Sequence, residues 1–147
     1  MGNSKVIDIL LAEDNPDDIE ITKRAFKEAK LINRLYIVRD GQEAVDFLYH
    51  KGRYEDVKNT PVPGLILLDI NMPKLNGLEV LKKIKEDKTL NKIPVIMLTV
   101  SRRDEDIVKS YSYGCNSFLQ KPVDFDNFVS LVKEIGFYWG VHNVTVQ

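Results

Sequence analysis

Three acidic side chains, a hydroxyl and an ammonium stand out for the chemistry they could do together. Glu13 and Asp14 follow a short apolar run, and Asp69 ends the run LILLD, with Asn71 two residues on. Thr99 ends IPVIMLT, with Ser101 close behind, and Lys121 with Pro122 follows SFLQ. Carboxylates crowded together repel, and a divalent cation relieves that repulsion. Magnesium takes oxygen ligands, keeps several waters and often shares its shell with a phosphate. A carboxylate beside such a cation can act as a nucleophile toward a phosphoryl group, giving an aspartyl-phosphate. The group in transit is anionic, so a cation and well-aimed donors stabilise it. Lys121 offers a fixed positive charge for this, and Thr99 a short hydroxyl that can donate to a phosphoryl oxygen.

Taken singly, each residue has an ordinary reading. Glu13 and Asp14 form a solvated acidic turn before a helix, Asp69 is a strand-end acid, Thr99 a strand threonine and Lys121 a solvated lysine. What sets them apart is that each stands at the carboxyl end of its own strand. Ligands of open parallel sheets bind at that edge. His50 and His142 lie in a connection and a tail, without metal-ligand spacing. Cys115 reads as a small core residue at a strand start, and Phe118 as packing.

The elements that must position this set alternate in type. Val6 to Leu11, Leu35 to Val38, Leu65 to Asp69, Ile93 to Leu98 and Ser117 to Gln120 read as strands, most of them apolar on both faces. Between them run helical patterns. Asn15 can cap a helix that has Pro16 at its first position and acids in its first turn, with Ile19, Thr22, Phe26 and Ala29 turned inward. Gly41 to Tyr49 predicts a second helix burying Ala44, Val45 and Leu48, and Leu78, Leu81 and Ile84 mark a third. Asp104 to Tyr113 is the fourth. Asp124 caps the last, whose stripe is Phe125, Phe128, Val129, Val132, Ile135 and Trp139. His50 to Gly64 is polar and long for a connection in such a unit, and is expected to be a surface excursion. Strict alternation with apolar strands implies a parallel sheet covered on both faces.

Composition narrows the function. At 147 residues the chain fits one domain, 1–147, with a core of about 5–139 and a tail at 140–147. A net charge of −1 argues against a nucleic-acid surface that works by charge alone. A single cysteine excludes an intrachain disulfide and suits a reducing cytoplasm. No basic start with a long apolar run precedes Leu11, and no stretch nears the roughly 20 apolar residues that cross a bilayer. Neither secretion nor a membrane is expected.

The segments LLAEDNPDD (10–18), LILLDINMPKLNGLEVL (65–81), IPVIMLTVS (93–101) and FLQKPVDFDNF (118–128) together resemble the receiver domain of two-component response regulators. The long 50–64 connection and the ending FYWGVHN (137–143) resemble the single-domain regulators found beside phytochrome-like or PAS/GAF sensor kinases. The resemblance implies a flavodoxin-like, doubly wound, five-stranded parallel sheet of order 2-1-3-4-5. It makes Asp69 the phosphoacceptor, with Glu13, Asp14 and the backbone carbonyl of Asn71 joining it around magnesium, or manganese. Thr99 matches the switch hydroxyl, Lys121 the phosphate-pairing lysine, and Phe118 the switch aromatic, where tyrosine is common and would add a hydroxyl. Val100 is larger than the alanine or glycine often found there and would narrow access. A cis Lys121–Pro122 bond is also implied.

The expected function is a stand-alone cytoplasmic response regulator, not a conventional enzyme. Its partners would be a sensor histidine kinase or phosphotransfer protein and a downstream protein effector. No DNA-binding or enzymatic output domain is expected after the last helix. Phe137 and Tyr138 lie off the last helix's stripe, which suggests a homodimer contact. A phosphatase of the haloacid dehalogenase type shares the aspartyl nucleophile but needs an acid where Asn71 stands. A flavodoxin-like cofactor carrier needs a phosphate loop where EDNPDD would repel phosphate. A degenerate receiver would have lost part of the acidic set, which is complete here.

Overall fold

The computed structural model describes residues 7–28, 31–56, 58–100, 111, 113–115 and 117–134. Five strands, β1 (Ile9–Ala12), β2 (Leu35–Val38), β3 (Leu65–Asp69), β4 (Val95–Thr99) and β5 (Ser117–Gln120), form one parallel sheet in the order β2-β1-β3-β4-β5. This is the flavodoxin-like order expected from the sequence. The helices are α1 (Pro16–Glu28), α2 (Gly41–Tyr49), α3 (Gly77–Glu86) and a last helix, Phe125–Glu134. Among the described residues no helix is long and apolar enough to cross a membrane.

Alternation along the strands divides the apolar side chains into two cores. Leu10, Ala12, Ile66, Leu68, Val95 and Met97 point to one face, where they pack with Phe47 and Leu48 of α2 and Val80, Leu81 and Ile84 of α3. Ile9, Leu11, Leu65, Leu67, Ile96 and Leu98 point to the other, against Phe26 of α1 and Phe128 of the last helix. The rings of Phe26 and Phe128 meet at 5.1 Å. Each fully buried aliphatic side chain contributes about 1.5–3 kcal/mol, so these two layers carry the fold. Cys115 is buried in the first core, as expected, and burial pushes its thiol up to about 11, which leaves it unreactive.

Local chemistry sets the element ends. Asn15 accepts from the amides of Asp17 at 2.9 Å and Asp18 at 3.2 Å, capping α1. Asp40 accepts from Glu43 N at 2.7 Å at the start of α2, and Asn76 and Glu79 form a reciprocal capping box on α3. Asp124 accepts from Asn127 N at 3.2 Å at the last helix.

Some boundaries differ from the sequence expectation. The first strand is Ile9–Ala12 rather than Val6–Leu11, because its ladder with β2 begins at Ile9 opposite Leu35. The fourth is Val95–Thr99 rather than Ile93–Leu98. Pro94 has no amide to donate, and the Ile93 amide closes the preceding 3₁₀ turn on Leu90 O at 3.0 Å. Val80 rather than Leu78 is fully buried on α3, and α2 buries Phe47 while Val45 is half-buried. The 50–64 connection is pinned at several points. His50 ends α2 in a left-handed conformation (φ 56°) and bonds Thr60 O through Nε2 at 2.9 Å. Tyr54 packs edge-on against Phe47 at 5.0 Å, and Thr60 and Pro63 are buried. Ser101, positions 104–110 of the expected fourth helix, the cluster Phe137, Tyr138 and Trp139, and the 140–147 tail lie outside the described residues.

Gly77 packs the start of α3 onto the end of β3. Its amide donates to Ile70 O at 2.7 Å. A Cβ there would overlap the Asp69 carbonyl oxygen and come within 2.8 Å of Ile70 Cα. Gly77→Ala is therefore expected to destabilise the fold by about 1–3 kcal/mol through overpacking, read as a lower midpoint in thermal or urea denaturation.

Candidate functional site

The sheet brings the chemistry-bearing residues to one edge by ordinary backbone pairing. Glu13 N donates to Val38 O at 3.0 Å, which holds the turn after β1 against β2. Ile70 N donates to Leu98 O at 3.1 Å, so β3 and β4 end side by side. Lys121 N donates to Thr99 O at 2.8 Å, and the Lys121–Pro122 bond is cis, as expected. The side chains of Glu13, Asp69 and Lys121 then converge.

Their geometry is tight. Carboxylate oxygens of Glu13, Asp14 and Asp69 lie within 4.8 Å of one another. The Lys121 ammonium donates to Glu13 Oε1 at 2.9 Å and Asp18 Oδ2 at 3.1 Å, and pairs with Asp69 Oδ1 at 3.3 Å. Glu13 is 1% exposed and Asp69 3%, whereas Asp14 faces solvent. Asn71 N approaches Asp69 Oδ1 at 3.4 Å. A cavity of about 410 Å³ opens over Glu13, Asp14, Asp18, Asp69 and Lys121, with Val100, 62% exposed, beside it.

Electrostatics follow from this packing. Burial pushes the Asp69 carboxyl up to about 7; the charge of Glu13 adds to the rise and Lys121 opposes it. Burial alone would lower the Lys121 ammonium. The Glu13 hydrogen bond, the Asp69 charge and the Asp18 hydrogen bond outweigh it and hold its pKa above the ordinary lysine value. Lys121 is therefore a permanent cation. The three acids supply only hard oxygen ligands, with Asp14 and the cavity open to water. That donor set suits a divalent ion such as magnesium or manganese, and a bound ion would offset the burial and the Glu13 charge that raise the Asp69 carboxyl.

Alternation along the strands gives the residues at this edge two parities. Asp69 shares its strand face with Leu65 and Leu67, and Glu13 and Lys121 meet it there, on the side of α1 and the last helix. Thr99 has the parity of Val95 and Met97, and Phe118 packs against that first core. Thr99 is buried, while Phe118 is half-buried with its ring 5.2 Å from that of Tyr111. Of the residues singled out from sequence, Glu13, Asp69 and Lys121 are thus brought into contact, with Asp14 within 4.8 Å of the two acids. Asn71 borders them, and Thr99 and Phe118 stand at neighbouring strand positions across the sheet. Asp18 was missed. First-turn acids commonly serve the helix dipole, and the clue was its place one helical turn past Asn15, on a helix that begins at the strand ends.

The fold and site define a class. The chain belongs to the response regulator receiver domain family, whose model matches residues 9–133. It is therefore a receiver of two-component signalling, and that family implies kinase and effector partners. Among particular relatives, it is 39% identical to the response regulator Rcp1 of Synechocystis sp. over 131 residues, 89% of this chain and 87% of that one. The structure of the bacteriophytochrome response regulator AtBRR superposes with a TM-score of 0.84 at 42% identity, covering 95% of this chain and 99% of that one. The Mn²⁺-bound form of Rcp1 gives a TM-score of 0.74 at 38% identity, covering 90% and 94%. A phosphorylated cyanobacterial phytochrome response regulator, RcpA, gives 0.75 at 38%, covering 90% and 93%. The chain is thus similar to phytochrome-linked response regulators, as the sequence suggested.

Asp69 links metal binding to pH. The unfolded carboxyl titrates near 3.8 and the folded one near 7. Between those values the folded state holds a proton the unfolded chain has lost, so rising pH weakens the metal-free fold through this group. A metal ion must displace that proton. Manganese affinity measured by calorimetry should rise about tenfold from pH 6 to pH 8, and Asp14→Asn should weaken it throughout.

Proposed function

We propose that this protein is a phosphorylation-switched response regulator that takes a phosphoryl group onto Asp69 from a histidine kinase or phosphotransfer protein. The observation that carries this reading is the Asp69 carboxylate held between two other carboxylates and the Lys121 ammonium. A carboxylate so placed is a nucleophile beside a fixed cation. An Asp69 oxygen attacks phosphorus, a new P–O bond forms, and the bond to the donor nitrogen or oxygen breaks with its electron pair leaving on the donor. Glu13, Asp14, Asp69 and the Asn71 carbonyl would hold magnesium, which supplies charge neutralisation for the anionic group. Lys121 pairs with the phosphoryl oxygens, and the Thr99 hydroxyl donates to another.

The phosphorylated relative RcpA and the manganese-bound relative Rcp1 support the chemistry and the ion. In this reading Thr99 draws toward the phosphoryl group and Phe118 follows into the space beneath, changing the surface near Tyr111. The output is a changed contact with a protein effector or a second copy of the chain. The protein assists its own phosphorylation and autodephosphorylation without turning over an external substrate. A kinase-fed acceptor of this kind belongs in the cytoplasm, where Cys115 stays a thiol.

Intact mass after incubation with acetyl phosphate and magnesium tests the reading. The wild type should gain one phosphoryl group, removed by hydroxylamine, and Asp69→Asn should gain none. A gain in Asp69→Asn equal to wild type overturns it. Lys121→Ala should fold with lowered stability and acquire phosphate, yet fail to pass the change to the Phe118 amide in NMR spectra.

A further inference from the structure

Lys121 has three ammonium protons and three carboxylate neighbours, and one of the three, Asp18, is not part of the Glu13, Asp14 and Asp69 group. Asp18 sits in the first turn of α1, its side chain 22% exposed, and its Oδ2 is 3.1 Å from Lys121 Nζ, nearer than Asp69 at 3.3 Å. Its position is fixed from the backbone side, because Asp18 N donates to the Asn15 cap at 3.2 Å. The Thr22 hydroxyl bonds the Asp18 carbonyl at 2.9 Å one turn later. The backbone of Asp18 is therefore held at the start of α1, which keeps its carboxylate within reach of the lysine.

We propose that Asp18 is a positioning residue, a competing acceptor that tethers the Lys121 ammonium to α1 and must release it when a phosphoryl group forms on Asp69. This role rests on Asp69 being the phosphoryl acceptor. A phosphoryl group brings new oxygens and up to two negative charges next to Lys121. Two ammonium protons already go to Glu13 and Asp18 and the ammonium also pairs with Asp69 at 3.3 Å, so phosphoryl oxygens that draw on more than the Asp69 pairing compete with Glu13 and Asp18. Glu13 is buried, and stripping its hydrogen bond would leave a desolvated charge. Asp18 is the most exposed of the three, so water can replace the lost bond, and it is the partner released most easily. Its charge also opposes the incoming dianion. The tether thus sets a threshold for activation, and its release frees the first turn of α1 from β5.

The test compares Asp18→Asn with Asp17→Asn, which removes an equal charge from the same helical turn at an exposed side chain with no bond to Lys121 among the described contacts, and with Asp18→Glu. Beryllofluoride with magnesium serves as a phosphoryl mimic, and NMR follows the Lys121 ammonium and the amides of residues 17–19. Asp18→Asn should bind the mimic about fivefold tighter and acquire phosphate from acetyl phosphate correspondingly faster. Its mimic-free Lys121 ammonium signal should already lie toward the mimic-bound position. Asp17→Asn should stay near wild type, and Asp18→Glu should restore the wild-type affinity. Equal mimic affinity in Asp18→Asn and wild type, equal gains in both Asn variants, or weaker binding in Asp18→Asn would each overturn the tether. Failure of the wild type itself to bind the mimic or acquire phosphate would instead remove the Asp69 reading.

Discussion

Glu13 and Asp69 are carboxylates with almost no access to water, and an uncompensated buried ion costs several kcal/mol. Lys121 is the compensation, and its place dictates much else. It must leave β5 beside Thr99, which the Lys121 N to Thr99 O bond secures. The first strand must end level with the third, which the register Ile9↔Leu65 through Ala12↔Leu68 provides. The cluster remains short of neutral even so, with three carboxylates around the ammonium and Asp14 beside Glu13 and Asp69. Burial first, and the charge of Glu13 second, push the Asp69 carboxyl up. A divalent cation is the natural remedy, and a phosphoryl group the natural disturbance.

Such a site needs a rigid support, because a displacement of an ångström would loosen every distance in it. The support comes from strands with no polar side to spare. Every residue of β1, β3 and β4 is buried, and β3 has a neighbour on both edges. Gly77 adds a close backbone contact behind Asp69. Asp69 therefore ends a fully buried strand, and Glu13 and Asp14 follow directly on another.

The sequence was most legible where a single physical rule decides the outcome. Apolar runs marked β2, β3 and β5 with their observed ends, and Asn15-Pro16 marked the start of α1, since cap chemistry is local. Legibility fell where a neighbour decides. The fourth strand starts late because Pro94 cannot join a ladder whose partner is far away in sequence. Val80 joins Leu81 and Ile84 in the core, while Leu78 packs partly buried against it. Asp18 escaped notice because its partner, Lys121, stands over a hundred positions away and nothing nearby distinguishes it from Asp17. The residues around Asp69 were read through their shared position at strand ends, which is a property of the fold rather than of any one segment.

The division of the apolar interior by the sheet has a further consequence. Among the described residues the two buried clusters lie on opposite faces of the sheet, so a volume error in one reaches the other chiefly through strand backbone. Defects placed on opposite faces, at Phe128 and at Val80 for instance, should sum in free energy, whereas two on one face should couple. A lineage can therefore remodel the α1 side and the α3 side at separate times, each tolerating drift that the other does not have to answer.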